Sequence, residues 1–200
     1  MKGKEYFKST YGLNDKDFVM FPYGSRVYGT HSDKSDYDYN TVVSDNCSIK
    51  TGTEVRHHDI NITVYSKSDW QQQLDNHKIH SMEAFYNPDG ECRRRFNFSL
   101  NLGKLRNELS QKASHSFVKA KKKIEVERDF LVGWKSLFHS LRILNFGLQI
   151  ATTEKIDFSA ANHFWFDIIG EPHYDWPFFK QKYQPIYNEL ATEFRKVAPK

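Results

Sequence analysis

The chain has 200 residues, a formal net charge of +4, and 16 Phe, 11 Tyr and 4 Trp, which supply a core for one substantial domain or two compact subdomains. No run of 18 apolar residues is present, which excludes a membrane-spanning helix. Two isolated cysteines, Cys47 and Cys92, exclude a C-x-x-C clip and a disulfide-dense scaffold.

The opening "MKGKEYFKST" lacks the apolar core of a signal peptide, so the expectation is a cytoplasmic protein with reduced thiols and no membrane partner. "DFVMFPY" (17–23) reads as a short strand, and "SRVYG" as one or two helical turns from Ser25, stopped at Gly29. "THSDKS" is turn chemistry. "DYDYNTVV" (36–43) alternates and ends β-branched, which predicts a strand. "VRHHDINITVYS" (55–66) reads as another, with Ile60, Ile62 and Val64 on one face and Asp59, Asn61 and Thr63 on the other. A helix follows from the Ser/Asp signals of "SKSDWQQQLDNHK", and "SMEAFYNPDG" closes the unit in a turn at Pro88-Asp89-Gly90.

Beyond residue 100 helical spacing takes over. In "WKSLFHSLRILNFGLQI", Trp134, Leu137, Phe138, Leu141, Leu144 and Leu148 make one apolar stripe, and a last helix is expected after Pro185. The aromatic clusters "HFWFDII" and "YDWPFF" read as core. Between Lys104 and Arg142 there are ten Lys/Arg against four Asp/Glu, which fits either a solvated helical face or a phosphate-bearing partner, RNA included. The expected organisation is a core over 1–100 and a helical region over 101–200 packed on it.

The chemistry concentrates in "YGSRVYGTHSDKSDYDYN". Residues two apart on a strand share a face, so Asp36 and Asp38 present adjacent carboxylates while Tyr37 and Tyr39 turn away. Aspartate is a poor strand former, and like charges side by side raise each other's pKa. A hard divalent cation, Mg²⁺ or Mn²⁺, would relieve both costs. If the two strands are neighbours, Asp59 joins the pair. Gly24 lets backbone approach a ligand; Ser25 offers a hydroxyl for phosphate or a helix cap, and Arg26 a guanidinium for phosphate or a surface ion pair. Lys135, His139 and Arg142 fall on one helical face and form a second set of candidate phosphate contacts, or an ordinary exposed face. His57 and His58 point to opposite faces of the strand, which argues against a shared zinc ion.

These motifs resemble the DNA polymerase β nucleotidyltransferase superfamily. Its pattern is a Gly-Ser pair, a short spacer, Asp-x-Asp, and a third Asp on a later strand. Here that pattern matches Gly24-Ser25, ten residues, Asp36-Tyr37-Asp38, and Asp59. "GSRVYGTHSDKSDYDY", the strand-to-helix run "DINITVYS", "SMEAFYNP" and "WKSLFHSLRIL" look most like the YcgL-related, RNA-repair polymerase-β-like branch. The resemblance implies an α+β nucleotidyltransferase fold with a mixed sheet and a helical C-terminal half. It further implies two metal ions on Asp36, Asp38 and Asp59, and a nucleoside triphosphate held by Gly24, Ser25 and Arg26, with Lys135, His139 and Arg142 reaching it. The implied reaction moves an NMP group to an acceptor (RNA, protein or small molecule) with release of pyrophosphate. An inactive binding module of the same fold, antitoxin-like or nucleic-acid-docking, and a metal-dependent phosphohydrolase are the rival readings.

Overall fold

The alternation in "DYDYNTVV" becomes a strand whose two faces do different work, and the first half of the fold is organised around it. The structure, a computed structural model, describes residues 2–199. It divides into two units, one ending at Ser99 and one beginning at Leu100.

The first unit opens with α1 (Lys2–Tyr11), β1 (Phe18–Tyr23) and the short α2 (Ser25–Tyr28), followed by β2 (Tyr37–Val43), β3 (Glu54–His57) and β4 (Ile60–Ser66). The strands form one sheet in the order β1-β2-β4-β3. β2 pairs parallel with β4, and the outer pairs are antiparallel, so the sheet is mixed. Period-two alternation sends Tyr39, Val43, Ile60, Ile62 and Val64 to one face, where Phe7 of α1 joins them with Phe18 and Met20. The opposite face carries Phe21 and Val42 under Trp70 and Leu74 of α3 (Lys67–Asp75), Ala84 of α4 (Ile79–Phe85) and Cys92 of α5 (Glu91–Arg95). α3 starts where the sequence signals it, with Ser66 Oγ accepting from Asp69 N at 3.1 Å.

The second unit contains α6 (Leu102–Lys121), a π-helical turn at Lys122–Val126, α7 (Phe130–Thr153), α8 (Asn162–Gly170) and α9 (Trp176–Val197). α7 packs against both α6 and α9. Leu137 and Leu141 of α7 share a cluster with Trp165 and Ile168 of α8 and Phe179 and Tyr183 of α9. Gly147 lets α7 and α9 close up: a Cβ there would stand 2.7 Å from Phe194 Cζ. The fold is α+β, a mixed sheet followed by a helical half. Among the described residues no helix is long and apolar enough to cross a membrane.

The elements differ from the sequence reading in four places. Residues 55–66 are a hairpin, not one strand: His58 adopts φ 51° and the chain reverses through His58 and Asp59. "IHSMEAF" is a helix, α4, with five of its seven residues buried, so it shows no amphipathic period. The first residues form α1. The last helix begins at Trp176 and carries Pro185 inside it, which removes the donor for the Gln181 carbonyl without ending the helix. The basic run after Lys119 is matched locally. Lys121 lies 3.6 Å from Glu125, Lys122 lies 3.1 Å from Glu127, and Lys123 also pairs with Glu127.

Candidate functional site

The polar end of the sheet begins where β1 runs out. Tyr23 pairs with Asp38, and the chain then turns through Gly24 at φ 83°. A Cβ at Gly24 would sit 2.5 Å from Asp38 Oδ2, so both the conformation and the closeness require glycine. The Gly24 carbonyl then accepts from Val27 N and Tyr28 N at 3.0 and 3.2 Å, which starts α2. α2 is fixed from beneath: Tyr28 Oη donates to Glu83 Oε2 of α4 at 2.7 Å, a buried contact. A positive-φ glycine turn, a close approach and a buried hydrogen bond thus define the Gly24-Ser25 loop beside Asp38.

Asp36 lies just ahead of β2 and is exposed; Asp38 is half-buried. Between them stands Asn61. Its Cα pairs with that of Asp38 across the parallel β2–β4 ladder, and its Nδ2 donates to Asp36 Oδ2 at 3.1 Å and Asp38 Oδ1 at 3.2 Å. The sequence placed Asn61 on the Asp59 face, but only the strand register reveals that it faces the acids. Tyr23 closes the other flank. Burial raises its pKa first, and the Asp38 charge raises it further.

Asp59 is next to the pair along the backbone, since its carbonyl accepts from Tyr37 N at 2.7 Å. Its carboxylate is committed elsewhere, accepting from Lys2 Nζ at 2.6 and 2.9 Å. That hydrogen bond holds the Asp59 carboxyl below its ordinary range. Arg26 has a backbone role as well. Its Nη2 donates to the Ser35 carbonyl at 2.7 Å, its Nε lies 3.2 and 3.3 Å from the carbonyls of Ser35 and Asp36, and its guanidinium stacks 3.9 Å from the Tyr37 ring centre. Arg26 therefore sets the entry into β2.

Lys135, His139 and Arg142 belong to α7 in the second unit. Lys135 is exposed, whereas Arg142 is only 2 % exposed and sits over the rings of Phe146 and Phe138. Its Nη2 donates to His139 Nδ1 at 2.7 Å, so His139 is the neutral tautomer with hydrogen on Nε2. Burial, then the Arg142 charge, pushes the His139 pKa well below its usual value. The three residues are not one exposed phosphate-binding face, because α7 is the central helix of its unit and turns inward on most sides.

Asp36 and Asp38 suit a divalent cation as hard oxygen ligands, and Asn61 offers an amide oxygen in the flipped orientation. Among the described residues no three Asp, Glu, His or Cys side chains come together as a metal-binding group. Asp36, Asp38 and Asn61 are the side chains here that could hold a metal.

No family model and no curated protein matches the chain. Among solved structures, it is similar to a nucleotidyltransferase-like protein from Exiguobacterium sibiricum. The alignment has 10% identity, covers 98% of this chain and 73% of that one, and has a TM-score of 0.32.

Proposed function

We propose that the chain is a metal-dependent nucleotidyltransferase that moves an NMP group from a nucleoside triphosphate to an acceptor and releases pyrophosphate. The observation that carries this reading is the packing of the Gly24-Ser25 loop against Asp38, with Asp36 beside it. Asp36 and Asp38 would hold Mg²⁺ or Mn²⁺. A bound cation supplies neutralisation of phosphate charge and orientation of the attacking and leaving oxygens.

The chain's own residues do the positioning. The Ser25 hydroxyl and the loop backbone hold phosphate oxygens close to the two aspartates. Glu83 and Tyr28 keep that loop in place, and Arg26 fixes the strand entry that aims Asp36. In the transfer, the acceptor oxygen bonds to the α-phosphorus as the bond to the bridging oxygen breaks. Pyrophosphate leaves with the electron pair, and the acceptor proton passes to water or to a carboxylate of the site.

With Mg²⁺ or Mn²⁺ and labelled triphosphates, the purified chain is expected to release pyrophosphate and label an acceptor from a panel of RNA, protein and small hydroxyl compounds. Asp38→Ala should abolish both signals; turnover that survives it overturns the reading. One observation favours the inactive binding module instead, namely an amide at position 61 and an Asp59 occupied by Lys2. That module would show no pyrophosphate release and a metal-independent, strongly salt-sensitive affinity for nucleic acid.

A further inference from the structure

A cleft between α6 and α9 lies wholly within the second unit. The two helices run antiparallel and are tied at both ends. Near the start of α6, Arg106 Nη1 donates to the Ala198 carbonyl at 3.5 Å, just past the end of α9. Near the end of α6, Phe117 packs against Trp176 and Tyr187, with ring centres 5.3 and 4.9 Å away. Between these ties a cavity of about 410 Å³ opens, with Leu144 of α7 in its lining. Pockets for small organic ligands run from roughly 300 to 1,000 Å³.

Polar side chains and exposed carbon surface share the lining. Asn107 and Gln111 come from α6, Asn188 and Tyr187 from α9, and each helix adds one arginine, Arg106 and Arg195. No Asp or Glu side chain among the described residues lines the cleft. Among the described residues neither guanidinium is paired with an Asp or Glu; Arg195 Nη2 donates to Thr192 Oγ1 at 2.9 Å, and Arg106 meets the Ala198 carbonyl. A seam that served packing alone would resemble the buried Leu105, Leu109 and Ala113 of the same α6. Two like charges bracketing one concavity instead leave forked donors for an oxyanion, and the fork geometry suits phosphate oxygens. The three amides each carry donors and an acceptor, which match the edge of a polar ring or sugar.

We propose that this cleft binds a small organic phosphate, with Arg106 and Arg195 on the phosphoryl oxygens and Asn107, Gln111 and Asn188 on its polar body. The site is independent of the nucleotidyltransferase reading, and the test separates the two. The full chain, in EDTA so that no metal supports the sheet site, is titrated calorimetrically with AMP, ribose 5-phosphate and inorganic phosphate. Saturable binding of an organic phosphate, tighter than inorganic phosphate, is expected. Arg195→Gln should weaken it by about tenfold or more, and Asn107→Ala should weaken it in the same direction. Both side chains are exposed, so both variants should keep the thermal midpoint of the parent. Asp38→Ala, and Arg93→Gln at an exposed arginine of α5 in the first unit, should leave the affinity unchanged. The proposal is overturned by an absence of saturable binding, by inorganic phosphate binding as tightly as the organic phosphates, by affinity indifferent to Arg195→Gln, or by loss of binding in Asp38→Ala.

Discussion

Asn61 stands directly across from Asp38 on the parallel neighbouring strand, and its amide hydrogen-bonds Asp38 and Asp36 together. The amide spares the two acids a third negative charge. Asn61→Asp should reverse this. Without metal, three carboxylates repel, and the thermal midpoint should fall. With Mg²⁺ the variant should gain more stability than the parent, its own gain reaching about 2.7 kcal/mol at a hundred times its Kd. Thermal unfolding of both proteins with and without Mg²⁺ measures this; an equal response would remove Asn61 from the metal-facing set.

Lys2 and Asp59 form a partly exposed ion pair, with side chains 54% and 40% accessible. The Asp59 pKa is depressed in the fold by the Lys2 hydrogen bond, so its contribution is present above the unfolded carboxylate pKa and lost as pH falls through the folded value. Lys2→Ala should therefore return the Asp59 pKa toward 3.8. The small stability loss at neutral pH should fade below about pH 4. A carbon-detected NMR titration of the Asp59 carboxyl reads the shift.

Gly24→Ala should disrupt the loop for two reasons, the positive φ and the 2.5 Å approach to Asp38 Oδ2. A loss of about 1–3 kcal/mol in urea unfolding is expected. The proposed transferase activity should fall further than stability accounts for, because Asp38 must move aside.

Tyr28→Phe removes the donor to the buried Glu83 Oε2. The expected cost is about 1–3 kcal/mol, since a buried side-chain hydrogen bond is lost. Urea denaturation gives the number, and a rise in KM for triphosphate with little change in kcat would show that the pair acts through the loop.

Cys92 is fully buried, and burial pushes its thiol up to about 11. A raised acid pKa means the unfolded state releases its proton first. Stability from this residue is therefore full below about pH 9 and is lost between there and pH 11, up to about 2–3 kcal/mol. Relative to Cys92→Ala, the parent should lose stability more steeply across that interval. Near neutral pH a thiol reagent should label the half-buried Cys47 first, and Cys92 only through unfolding.

What the sequence revealed was local. β1, α2 and β2 were legible because alternation and Gly29 mark them, and Asp36 and Asp38 share a face by backbone period alone. The β3–β4 hairpin was hidden because the alternation continues through a turn built on His58 rather than on glycine. α4 was hidden because nearly every side chain on it is buried. Asn61 could not be assigned to the acid pair without the register between β2 and β4, which depends on residues far apart in the chain. Arg142 read as surface because charge predicts exposure; His139 and two aromatic rings give that charge a place inside.

The sheet also limits how this chain can associate with others. Its outer strands are β1, interrupted by Pro22, which has no amide to donate, and β3, four residues long with Glu54, Arg56 and His57 in solvent. Neither border offers a long, flat row of unpaired backbone groups to a foreign strand. Strand addition at either border of the β layer meets a short strand, and Pro22 removes one donor from β1.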